Sequence, residues 1–146
     1  MAALLPIIAV LIAGFGIAVQ PPTNAALAKQ GGSVILAALV SFVIGSLVLA
    51  AAWAAFDRTA PSALRGAPAW TWAGGFYGAC FVAALAFATP RLGLAVALTL
   101  AIASQLAAAL VLDHFGLLGL RQAPISVGKV AGVLLVLGGV LLVRRG

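Results

Sequence analysis

Residues 70–112 read WTWAGGFYGACFVAALAFATPRLGLAVALTLAIASQLAAALVL and carry a single charge, Arg91. A transmembrane helix takes about 20 consecutive apolar residues. This stretch is therefore too long for one crossing and suits two. Pro90-Arg91 is the expected break, because proline has no N–H to donate and its ring clashes with the preceding turn. Reading outward by the same rule gives five spans, at about residues 3–20, 33–56, 70–89, 92–112 and 127–143. Pro21-Pro22, Asp57-Arg58, Asp113-His114-Phe115-Gly116 and Arg144-Arg145 punctuate them. The expectation is an all-α, polytopic membrane protein with five transmembrane helices and one transmembrane domain over residues 1–146.

Composition agrees. Apolar residues make up 65% of the 146 residues and charged ones 7%, against about half and a quarter in soluble domains. A water-soluble globule, a nucleic-acid module and a disordered chain are excluded on that ground. The net charge of +6 comes from basic residues at the ends of apolar runs, where they reach lipid headgroups. It is not a nucleic-acid patch. Trp53, Trp70 and Trp72 sit near span ends as interfacial anchors. Cys80 is the single cysteine, so no internal disulfide is expected. Ala26-Leu27-Ala28 follows an apolar run as a signal cleavage site would, but no basic residue precedes that run and Pro21-Pro22 intervene. It is not read as a secretory signal.

The distribution of basic residues is the most informative feature. With five spans, Arg58, Arg65, Arg121 and Lys129 fall on one side, and Lys29, Arg91, Arg144 and Arg145 on the other. Membrane orientation follows an excess of Lys and Arg on the cytoplasmic side, and here four stand against four. Such a chain has nothing to choose one insertion over its inverse and is expected to insert both ways, the alternative being that some other feature orients it. An up-chain pairing with a down-chain makes an antiparallel homodimer of ten helices, the two-copy version of an inverted-repeat transporter.

Polar groups inside spans are costly and point to function. Gly16, Gln20 and Asn24 lie four apart beside Pro21 and Pro22, which cannot donate to the carbonyls of Ile17 and Ala18. Either the first helix is interrupted there and forms a binding element, or Gln20 and Asn24 cap a helix ending at the interface. Gln105, near mid-bilayer in the fourth span, is read as lining a pathway, with an interhelical hydrogen bond as the plainer role. Tyr77, among glycines, is a further lining candidate. Asp113 and His114 are candidate proton or gating groups, with a structural role at the interface as the alternative. Gly74, Gly75 and Gly78, with Gly128 and Gly132, are packing positions, as are Ser41 and Gly45. No catalytic constellation, metal cluster or phosphate loop is present. The expectation is a protein that is not an enzyme and needs no cofactor or metal.

Three of these stretches also carry a family resemblance. Gln20-Pro21-Pro22-Thr23-Asn24-Ala25-Ala26-Leu27, residues 68–79 from Pro68-Ala69-Trp70 to Gly78-Ala79, and Ser104-Gln105-Leu106 followed by Val111-Leu112-Asp113-His114-Phe115-Gly116 resemble the first, third and fourth spans of the YdcZ-like short bacterial membrane proteins. Ser104 departs from the glycine usual there. The resemblance covers nearly the whole chain. It implies membership of the drug/metabolite transporter superfamily and a bacterial inner-membrane location, with one chain equal to half of a ten-helix transporter. The superfamily's small multidrug resistance relatives carry a Glu in the first of four spans. This chain has no acid there, which argues against proton-coupled export of a cation.

Together these readings favour a secondary transporter working by alternating access. Its partners would be a second copy of the chain, the bilayer and a neutral or anionic small molecule. A passive channel and a non-transporting scaffold are the alternatives.

Overall fold

The computed structural model describes residues 4–145, which are helical apart from short connections. The five long helices are α1 (Leu4–Gly31), α2 (Val34–Ala52), α3 (Gly74–Leu92), α4 (Leu94–Phe115) and α5 (Val127–Arg145). No strand occurs among the described residues. The first four helices are long and apolar enough to cross a membrane, α2 and α3 counted with their adjoining turns; the apolar part of α5, Val127–Val143, is shorter. The chain forms two compact units, Met1–Arg91 and Leu92–Gly146.

In the first unit, α1 passes through both prolines without interruption. The break considered at Pro21-Pro22 does not occur, and Gln20 and Asn24 cap nothing. Only two intrahelical bonds are lost, those to the Ile17 and Ala18 carbonyls. Thr23 Oγ1 donates to the Gln20 carbonyl at 2.7 Å and lies 3.3 Å from that of Val19. In lipid, where no water competes for the backbone, the remaining ladder holds the helix. Ser33 then caps α2, its hydroxyl accepting from the Leu36 N–H at 3.1 Å. α2 ends in a wider π turn, Trp53–Asp57, closed by Arg58 at φ 58°. Here the Trp53 indole N–H donates to the Thr59 carbonyl at 3.0 Å, and the Thr59 hydroxyl donates to the Asp57 carboxylate.

The break expected at Pro90-Arg91 falls later. α3 includes Pro90 and ends at Leu92. Gly93 makes the turn at φ 80°, a backbone conformation open to glycine and unfavourable for other residues. Proline tolerates the last helical turn, because it forfeits one bond where the helix is about to end.

Helices approach through small residues. Six of the nine buried aliphatic positions among the described residues are alanine: Ala28, Ala37, Ala38, Ala86, Ala97 and Ala103. Without a hydrophobic drive between helices in lipid, close backbone approach supplies the attraction. In the first unit α1 packs on α2. Gly78 of α3 meets α2, where a Cβ would stand 3.3 Å from Phe42 Cζ. Most large apolar side chains, from Leu5 and Phe15 to Leu135 and Leu142, are exposed. That is untenable in water and expected against hydrocarbon.

In the second unit α4 packs on α5. α4 runs three residues beyond the expected end and carries Asp113 and His114 in its last turn, with Gly116 closing it at φ 60°. The connection folds back over this helix end. The Asp113 carbonyl accepts from the N–H of Gly116 at 3.3 Å and of Ala123 at 2.8 Å.

Candidate functional site

Among the described residues the first unit buries one polar side chain, Asn24, which is 5% exposed. It lies on the stripe of α1 that also buries Pro21 and Ala28, three and four residues apart and hence on one face. Its amide nitrogen Nδ2 has no hydrogen-bond partner among the described residues. A buried donor without an acceptor costs about 1–3 kcal/mol, so its retention calls for an explanation.

Gln20 stands one turn earlier on the same helix and is half-buried. Its Nε2 donates to Ser41 Oγ of α2 over a long 3.5 Å. Sequence reasoning treated Ser41 as a packing residue and missed this contact. The available signal was a hydroxyl in mid-span, where hydrocarbon offers it no partner. The prolines add acceptors to the donors, since the Ile17 and Ala18 carbonyls receive no N–H from residues 21 and 22. The result is a stretch of α1 that offers amides, a hydroxyl and backbone carbonyls but no charge. It suits hydrogen bonding to a neutral polar group, or N–H donation to an anion. It cannot pair a cation with a carboxylate.

The remaining candidates are placed differently. Tyr77 is exposed on α3, edge-to-face with Phe76 at a ring separation of 5.8 Å. Gly74 and Gly75 have open space where a Cβ would stand, so unlike Gly78 they pack against nothing within the chain. Gly132 is equally open, and Gly128 has only the Ser126 hydroxyl at 4.0 Å. Gln105 is exposed on α4, where α5 does not cover it, and makes no hydrogen bond to another described residue. Gln20 thus meets Ser41 in the first unit, with Asn24 one turn further along α1, while Gln105 belongs to the second.

Asp113 and His114 take part in the connection between α4 and α5. His114 Nδ1 accepts from the Ile125 N–H at 3.2 Å, and its carbonyl accepts from Gln122 Nε2 at 3.0 Å. Asp113 and Lys129 line one groove between α4 and α5. Lys129 Nζ donates to the carbonyls of Ala123 and Pro124, each at 3.1 Å. The pairing of Asp113 with Arg121 considered from sequence is not found. No group of three or more His, Cys, Asp or Glu side chains that would hold a metal ion occurs among the described residues.

No curated protein and no solved structure matches the chain. One family model does, over residues 5–142. It spans α1 to α5 and takes in Gln20, Asn24, Gln105 and Asp113. With its helices long and apolar enough to span a membrane, its alanine-lined contacts and its buried polar stretch, this chain belongs to the inner-membrane family described as "Putative inner membrane exporter, YdcZ".

Proposed function

We propose that the chain is a secondary transporter that works as an antiparallel, dual-topology homodimer by alternating access and carries a neutral or anionic small molecule. The observation that carries this reading is Asn24, a buried amide donor left without an acceptor, one turn from the Gln20–Ser41 contact. An orphan donor in a membrane interior is explained when a transported molecule supplies the missing acceptor in part of the cycle. The absence of any acid from α1, α2 and α3 favours a neutral or anionic cargo over a cation. Gln105 contributes to the pathway in this reading, because an uncovered amide in mid-span is unfavourable against lipid and needs a polar neighbour. Tyr77 is a secondary lining candidate. The four-against-four balance of basic residues supports dual topology.

Two measurements test this. With Cys80 replaced by Ser, single cysteines near Met1 and at Gly146 are crosslinked in native membranes. Links between the N-terminus of one chain and the C-terminus of another are expected, whereas only like-with-like links would rule out the antiparallel pair. Proteoliposomes are then assayed for uptake of a panel of small neutral solutes and monocarboxylates. Saturable flux that is lost in Asn24→Leu and Gln105→Ala but kept in Asp113→Asn is expected. Non-saturating flux would identify a channel, and no flux with any solute a scaffold.

A further inference from the structure

A second polar feature lies at the opposite end of α1 from its N-terminus and involves none of the groups above. Lys29, in the last turn of α1, and Arg91, in the last turn of α3, line the same groove of about 400 Å³, with Val34 at the start of α2 beside them. Ala28 and Ala86, both nearly fully buried, border the groove, and their small side chains leave its volume open.

Three facts make this groove a place for an anion. First, nothing in the unit neutralises it. The chain has two acids, Asp57 and Asp113, and Asp113 belongs to the other unit. Asp57 ends the helical stretch that begins at Val34, about 35 Å away at 1.5 Å per residue, far beyond the screening length of about 8 Å. Second, the guanidinium of Arg91 is held in place. Its Nη1 donates to the Phe87 carbonyl at 2.6 Å, and its carbon sits 3.6 Å over the Phe87 ring. Of its five N–H donors this bond takes one, and the fork is oriented before any ligand arrives. Third, the groove includes the positive end of α2. Ser33 accepts from Leu36 and Ala37, which leaves the first two N–H groups of α2 without a described acceptor.

Each cation by itself serves as an interfacial anchor or as a partner for its own helix C-terminus. What the fold adds is convergence of two cations from different helices on one groove at the end of the spans, the level of lipid headgroups. Basic grooves between transmembrane helices recognise anionic headgroups in this way. We propose that the Lys29–Arg91 groove seats the phosphate of an anionic phospholipid headgroup. A zwitterionic lipid brings its own quaternary ammonium to the same place and is disfavoured.

The test is native mass spectrometry of the purified full chain in detergent, with phosphatidylglycerol or phosphatidylcholine added. Wild type is expected to retain one phosphatidylglycerol per chain in preference to phosphatidylcholine. Affinity falls about fivefold on removal of one cation and roughly 25-fold in Lys29→Gln/Arg91→Gln. Arg65→Gln/Arg121→Gln removes the same charge elsewhere and leaves retention unchanged. Lys29→Arg/Arg91→Lys keeps both charges but gives up the guanidinium held over Phe87, so its retention falls less than that of the Gln pair, which separates lost recognition from lost folding. Equal retention in wild type and the Gln pair overturns the proposal, as does equal loss in the control pair or a loss in the charge-preserving pair as large as in the Gln pair. Displacement of the lipid by millimolar inorganic phosphate would instead identify a site for a soluble anion and likewise overturns it.

Discussion

At Asn24 a single side chain joins the fold to the proposed transport. Replacing it by Leu removes the orphan donor while keeping a side chain branched at the same carbon, and replacing it by Ala removes both. Asn24→Leu is therefore expected to melt in detergent at the wild-type temperature or above it, since an unpaired buried amide costs about 1–3 kcal/mol. Solute flux is lost all the same. A clear fall in melting temperature would show that the amide is a structural bond donor. Gly78 makes a similar point through shape. A methyl there stands 3.3 Å from Phe42 Cζ, whereas at Gly74 it meets nothing. Gly78→Ala should lower stability by about 1 kcal/mol or more as the Phe42 ring is displaced. Gly74→Ala leaves the isolated chain unaffected, and thermal melts of both variants decide. The glycine spacing was legible in the sequence. Which glycine touches a neighbour was not, because helical period places a residue on a face without saying what lies opposite.

At the scale of elements, the connection between α4 and α5 shows how a helix end is closed in a membrane protein. Gly116 takes the left-handed conformation, the Asp113 and His114 carbonyls accept from Ala123 and Gln122, and the His114 ring accepts from the Ile125 amide. The ring nitrogen that accepts, Nδ1, carries no proton in this arrangement. His114→Ala should cost about 1 kcal/mol and speed hydrogen exchange at Ile125 several-fold, with α4 itself protected as before. Unchanged exchange there would mean that the ring bond does not hold the connection. The sequence marks Asp113, His114 and Gly116 as a helix end. The return of residues 122–125 onto it depends on long-range bonds that no local pattern announces. α1 teaches the complementary lesson. Two adjacent prolines are a strong breaker signal in water, yet here the helix continues through them, with Thr23 serving the Gln20 carbonyl.

For the whole molecule, the proposed dual topology rests on a tie that one substitution breaks. Arg65→Gln leaves three basic residues against four on the opposite side. The C-terminus, which lies on the side of the four, is then expected to face predominantly the cytoplasm, and crosslinking between N- and C-termini drops with it. A C-terminal reporter active on one side of the membrane and a second active on the other measure both populations. Equal signals in wild type and a skewed pair in the variant are expected. A wild-type signal from one side only would remove the basis for an antiparallel pair.

An all-helical membrane protein with five helices followed from the sequence by itself, because hydrocarbon admits only backbone that satisfies its own hydrogen bonds. Such segments announce themselves by length and apolarity. Membership of the exporter family was equally legible, carried by short motifs around Gln20, Gln105 and Asp113. Only the tertiary structure decided that α1 is unbroken, that the turn after α3 falls at Gly93, and that Asn24 is buried without a partner for its amide nitrogen. Only it brought Ser41 to Gln20, and Lys29 and Arg91 to one groove. Those outcomes depend on which residues of different helices come to face one another. That is set by the packing of small side chains across helix contacts, of which the order of residues along one helix carries only half.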